Sequence, residues 1–183
     1  MALTLRKVRL RLVWLLVLPF FWFASPTPAL LAIGGVLALV GLMVRASAAG
    51  VIMKEKELAT SGIYAYTRNP LYLGSFLLGL GVTVAGGQWI FVALFAAFFL
   101  TVYGRTMRGE AELLEGLFGD AYRDYAANVP LLLPRATAYR PSHGSEGRAP
   151  GFDLERWRDN KEYEALMGAV AVFSFLALRM FWP

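Results

Sequence analysis

No Asp, Glu, Lys or Arg occurs between Arg11 and Arg45, none occurs between Arg68 and Arg105, and only Arg179 carries a charge after Glu164. A bilayer core about 30 Å thick is crossed by about 20 apolar residues in a helix. Each of the first two charge-free stretches therefore holds two spans if the chain folds back at its middle. Ser25-Pro26-Thr27-Pro28 interrupts the first stretch and Gly86-Gly87-Gln88 the second, both with turn chemistry. Unpaired backbone groups are costly in lipid, so a span is a helix or part of a closed barrel. These apolar runs show no alternation, which selects helices. The expected fold is all-α: a polytopic integral membrane protein with about five transmembrane helices, near 8–24, 29–49, 70–85, 88–107 and 163–181. Residues 1–183 form one membrane domain in this reading, and 135–160 a cytoplasmic or interfacial loop.

With 57% hydrophobic residues, the chain does not have the composition of an ordinary soluble domain. Arg6, Lys7, Arg9 and Arg11 precede the first apolar run as they would in a signal peptide. That run leads at once into Pro26 and a second span, however, so retention is expected. Arg6 to Arg11, Arg45, Lys54, Lys56, Arg68, Arg105, Arg108, Arg123, Arg135 and Arg140 all fall on one side, while the two tight turns carry no charge. The positive-inside rule makes that side, with the amino terminus, cytoplasmic. In a prokaryote the membrane would be the inner or plasma membrane. A net charge of +5 suits anionic headgroups, and no nucleic-acid partner is expected. Cysteine is absent and His143 is the one histidine, within the polar stretch 140–151, so no metal site is expected.

Small residues mark the helix seams. Gly34, Ala38 and Gly41 share a face, as do Gly74 and Gly81, and such stripes let helices approach closely in lipid. Arg45 continues the first stripe, where its guanidinium must snorkel or pair. Asn69-Pro70 reads as an N-cap followed by the first helical residue. The fourth span is expected to continue past Arg105 to a stop at Gly119, followed by a short helix capped by Asp120. Phe152, Leu154 and Trp157 read as the start of an interfacial helix.

Two polar clusters converge on the charged side: Tyr64, Tyr66, Arg68, Asn69 and Tyr72, then Arg105, Arg108, Glu110 and Glu112 with Tyr122 and Tyr125. An arginine clamps a carboxylate or phosphate. A glutamate accepts from an ammonium or a ribose hydroxyl, and tyrosines stack on a heterocycle or close over a cation. S-adenosylmethionine carries a carboxylate, an amine, a sugar, a purine and a positive centre. The same residues also suit plain salt bridges and an interfacial tyrosine belt.

The stretch Gly62-Ile-Tyr-Ala-Tyr-Thr-Arg-Asn-Pro-Leu-Tyr-Leu-Gly74 resembles the Gly-x-Tyr-x-x-x-Arg-His-Pro-x-Tyr-x-Gly signature of isoprenylcysteine carboxyl methyltransferases and related phospholipid methyltransferases. Downstream, Glu110 to Pro130 is similar to that family's second signature, Glu-Glu-x-x-x-x-x-x-Phe-Gly-x-x-Tyr-x-x-Tyr-x-x-x-Val-Pro. The resemblance implies a S-adenosylmethionine site at the cytoplasmic ends of the helices and a lipid-like or prenylated acceptor entering from the bilayer. By the same resemblance, Tyr64, Asn69, Pro70, Tyr72, Glu110 and Glu112 would contact the cofactor, and Tyr122 and Tyr125 would shape its lid. Arg68 and Glu110 would serve catalysis, and Arg45 and Arg105 are candidate substrate contacts. Two positions depart from the signatures: Asn69 stands for the family histidine and Ala111 for the second glutamate. An ionised carboxylate needs no base, so the loss of histidine favours a carboxylate acceptor. Two other classes compete: an NADPH-dependent membrane reductase of the sterol-reductase kind, and a non-catalytic membrane module associating through the Gly34 stripe.

Overall fold

A computed structural model describes residues 16–51, 58–140 and 152–182. All secondary structure among them is helical: α1 (16–23), α2 (Pro28–Ala49), α3 (Pro70–Ala85), α4 (Trp89–Phe118), α5 (Asp120–Asn128), α6 (Leu154–Asp159) and α7 (Glu162–Arg179). A single 3-10 turn, Gly62–Ala65, precedes α3. The helix α2 and the apolar part of α4 are long and apolar enough to cross a membrane, and α3 is a shorter apolar helix. The expected spans fall on α2, α3, α4 and α7 within a residue or two, apart from the continuation of α4. Residues 8–15 of the first expected span, the Lys54–Glu57 connector and His143 lie outside the described residues.

Helices α2 and α3 run antiparallel with their backbones in near contact. A Cβ at Gly34 would lie 2.3 Å from the Gly81 carbonyl oxygen, and one at Gly81 would lie 2.4 Å from that of Gly34. Further along, Gly41 and Gly74 stand in the same reciprocal relation, each 2.6 Å from the other's carbonyl. The small-residue stripes are thus one seam seen from its two sides, and any side chain at these four positions would force the helices apart.

The two ends of the bundle differ. At one end the tight turns meet: the Ser25 amide donates to the Gly86 carbonyl (2.9 Å), and the Gln88 side chain donates to Ser25 Oγ (2.8 Å). Phe20, Ala24, Ala85, Phe91 and Leu176 bury one another there, which brings the far end of α7 onto the two hairpins. At the other end Ala65, Tyr122, Tyr125, Val129 and Tyr139 form a second core, with Leu114 and Phe118 against it. This second end carries both sequence motifs.

Helix α4 continues to Phe118 and stops at Gly119, whose φ of 54° turns the chain into α5. Two capping expectations need correction. Asp120 is the first residue of α5, with Gly119 in the cap position, and its carboxylate accepts from Arg123. Asn69 occupies the cap position of α3, but its side chain makes no cap hydrogen bond. Pro70 at the helix start already lacks the amide hydrogen, which leaves one fewer donor for a cap to satisfy.

Candidate functional site

The segment after α5 folds back along the first motif as a strap. Arg68 N donates to the Pro130 carbonyl (3.0 Å), Arg135 N to Tyr66 (2.9 Å) and Tyr139 N to Ala65 (2.9 Å). Thr67, fully buried, donates through Oγ1 to the Leu132 carbonyl at 2.8 Å. The Asn69 amide donates to the Leu131 carbonyl at 2.9 Å, which explains why it is lost to the helix cap. Tyr139 closes the strap by donating to the Asp124 carboxylate on α5.

Three side-chain contacts join the motifs directly. The Tyr125 hydroxyl donates to the Tyr64 carbonyl (2.7 Å), Arg68 Nη1 donates to the Tyr122 hydroxyl (3.2 Å), and the Tyr72 hydroxyl donates to Glu110 Oε1 (2.6 Å). The Arg68 guanidinium also lies over the Tyr122 ring, 6.0 Å from its centroid. Its Nε is buried without a hydrogen-bond partner. Such an orphaned donor on a charged group is costly and calls for an acceptor. Tyr72 further packs on Tyr103, the first ring of an aromatic series that continues through Phe99, Phe76 and Phe95 along the α3–α4 interface.

The candidate residues do not all converge. Arg68 pairs with Tyr122 and Tyr72 with Glu110, with Glu110 open to solvent and Tyr122 buried. Tyr64, Asn69, Pro70 and Tyr125 are buried or half-buried packing groups and strap anchors. Burial, then the charges of Glu110 and Glu162, push the Tyr64 phenol well above its usual range. Burial also raises Tyr125. These phenols are hydrogen-bonding and packing groups rather than bases at neutral pH. Glu112 and Arg105 are exposed, and Glu112, two residues from Glu110, points about 200° away around the helix. Arg45 is held elsewhere: Glu162 of α7 grips it through two oxygens, at 2.8 and 2.9 Å, and it also donates to Ser75 Oγ.

Sequence reasoning passed over the strap and Glu162. An arginine and a glutamate placed at the ends of two apolar spans were the available signal for the latter, since charges at that depth pair. The strap's contacts are made largely by backbone groups, which leave no signature in side-chain type.

Helices that bring two such motifs together at one end of an apolar bundle define a membrane-protein class with a polar mouth. The family model described as "PEMT: Phospholipid methyltransferase" matches residues 29–121, which are 93 of the 183. The chain belongs to this phospholipid methyltransferase family, the one that includes the isoprenylcysteine methyltransferases. It is 35% identical over 81 residues to the protein-S-isoprenylcysteine O-methyltransferase of Schizosaccharomyces pombe, covering 44% of this chain and 34% of that one. It is 37% identical over 92 residues to the protein of the same name from Mus musculus, covering 46% and 31%. The nickel-cobalt-cadmium resistance protein NccN of Alcaligenes xylosoxydans xylosoxydans is 32% identical over 87 residues, covering 48% and 40%. The chain thus spans between about a third and two fifths of the length of these relatives. No solved structure matches it.

Proposed function

We propose that this protein is a S-adenosylmethionine-dependent membrane methyltransferase acting on a lipid-like or prenylated acceptor at the cytoplasmic face. The observation that carries the reading is the joining of the two motifs by the Arg68–Tyr122 and Tyr72–Glu110 contacts, with Arg68 Nε buried and unpartnered. These groups fit the donor. The guanidinium suits its carboxylate, and Glu110, engaged at Oε1 by Tyr72, suits its ammonium or a ribose hydroxyl. Tyr122 and Tyr72 offer faces to a ring or a cation. When bound, the donor supplies an electrophilic methyl group on a sulfonium.

The protein's own part is placement and exclusion of water. Arg68 would hold the donor's carboxylate and Glu110 its ammonium or a ribose hydroxyl, which would leave the methyl group to an acceptor from the bilayer side. The strap and α5 pack over the first motif, and the burial of Tyr122 there limits water beside Arg68. No titrating base is available at Asn69, whose amide is committed to Leu131. A carboxylate acceptor, ionised at pH 7, fits that arrangement.

Five spans complete the reading. Helix α3 has 16 residues, about 24 Å, short of a core of about 30 Å, which leaves room for its first turn to lie within the bilayer. Helix α4 has 30 residues, about 45 Å, and carries Glu110 up to meet it. An acceptor arriving sideways thus reaches Tyr72 without leaving the bilayer.

The test is a titration of detergent-purified protein with S-adenosylhomocysteine and, separately, NADPH. S-adenosylhomocysteine should bind in the micromolar range, and Arg68→Ala and Glu110→Gln should each weaken it at least tenfold, the loss expected of a charge-assisted hydrogen bond. Binding of NADPH alone would point to a reductase, and binding of neither to a non-catalytic module.

A further inference from the structure

The pair of Arg45 and Glu162 lies outside the residues assigned to the mouth, and Glu162 lies outside the matched family region. Glu162 is 6% exposed and Arg45 21%, so the carboxylate is buried and the guanidinium partly so. Such a pair is weak evidence of stabilisation, since desolvation offsets most of its attraction. What it touches is more informative. The Arg45 stem crosses α3 where Gly74 has no side chain, with its Cγ 2.6 Å from where a Gly74 Cβ would stand. Its guanidinium then donates to Ser75 Oγ, and Ser75 in turn donates to the Leu71 carbonyl at 2.8 Å. Leu71 and Ser75 flank Tyr72 in the first turns of α3, and Tyr72 donates to Glu110. One chain of contacts therefore runs from α7 through α2 and α3 to α4.

The backbone around Glu162 is fastened as well. The Asn160 side chain donates to the Ala49 carbonyl (3.0 Å) and the Asp153 amide to that of Gly50 (3.1 Å), so the start of α7 is clamped on the end of α2. Glu162 is thus delivered to Arg45 from a fixed support. Its charge also reaches Tyr64, on the floor of the mouth.

We propose that Glu162 is a positioning residue for the methyl-donor site: through Arg45 and Ser75 it sets the first turn of α3, and with it the placement of Tyr72 against Glu110. The last helix, beyond the matched family region, then tunes donor affinity without touching the donor. This rests on the proposed function, and the experiment separates the two.

S-adenosylhomocysteine affinity and melting temperature are measured for wild type, Glu162→Gln, Ser75→Ala and Glu164→Gln. Glu164 is exposed two residues away on α7 and serves as the charge control. Ser75→Ala leaves the ion pair whole and cuts only its link to α3. Ser75→Ala should weaken binding about fivefold, in the range of measured through-structure couplings, with the melting temperature lowered only by the few degrees that two lost hydrogen bonds account for. Ser75→Thr, which keeps the hydroxyl, should restore it. Glu162→Gln should weaken binding at least as much, and if it fails to fold, Ser75→Ala decides alone. Wild-type affinity in Ser75→Ala, or an equal loss in Glu164→Gln, overturns the positioning role while leaving the proposed function standing. Failure of the wild type itself to bind removes the proposed function first.

Discussion

Asn69 donates its side-chain amide to the strap from the cap position of α3. Its place before Pro70 marks a helix start, and the chain does start α3 there. Its side chain, however, serves the strap, donating to Leu131 over a separation of 62 residues. No pattern local to residues 62–74 carries that information, because the partner is a backbone carbonyl. Asn69→Ala should loosen the strap by about 1 kcal/mol, the net worth of one neutral hydrogen bond. Asn69→His retains a ring N–H for the same carbonyl and should cost less. Thermal melts in detergent rank the two. Because wild-type Asn69 does not titrate, methyl transfer to a carboxylate acceptor should be flat between pH 6 and 8; a steep rise through pH 6.5 in the wild type would reveal a base elsewhere in the mouth.

At the level of elements, the helices were the most legible part of this chain, because the apolar runs, their breaks and the small-residue stripes all express one constraint, burial in lipid. The seam of α2 and α3 gives this a sharp form. Gly81→Val would drive a branched side chain into the Gly34 carbonyl and should cost about 2 kcal/mol or more. Gly116 on α4 meets nothing within 4 Å, so Gly116→Ala should stabilise by up to about 1 kcal/mol through helix propensity alone. The strap was not legible, since no periodicity governs residues 129–140. It has its own pH signature. Burial first, then the hydrogen bond to Asp124, push the Tyr139 phenol from its ordinary 10 up to about 12. Below pH 10 folded and unfolded chains both keep this proton and the contribution is fully present. Between pH 10 and 12 the unfolded chain releases it while the folded chain holds it, so stability falls as pH rises. Tyr139→Phe should therefore lower the melting temperature at pH 8 but flatten its decline between pH 10 and 12. Tyr64 and Tyr125, also raised, leave a residual slope.

For the whole molecule, the direction of each helix follows from which end its residues occupy. Glu110 near the charged end of α4, Glu162 at the start of α7 and Arg45 near the end of α2 share the mouth end, while Ser25, Gly86 and Leu176 share the other. Among the described residues, Arg45, Arg68, Arg105, Arg108, Arg123 and Arg135 sit towards the mouth end and Arg179 at the other, and the positive-inside rule turns that asymmetry into the proposed orientation. The absence of cysteine makes the orientation directly measurable. Ala136→Cys places a thiol on the exposed strap and Trp182→Cys one at the exposed end beyond α7. In sealed inside-out vesicles a membrane-impermeant maleimide should label Ala136→Cys and spare Trp182→Cys until detergent is added, with the reverse in right-side-out vesicles. Labelling of both thiols from one side would mean that α7 does not cross. Glu162 would then reach Arg45 from a helix lying along the membrane surface, which its contact with the Phe20 and Phe91 core at the far end makes hard to build, because Leu176, about four turns on, is fully buried there.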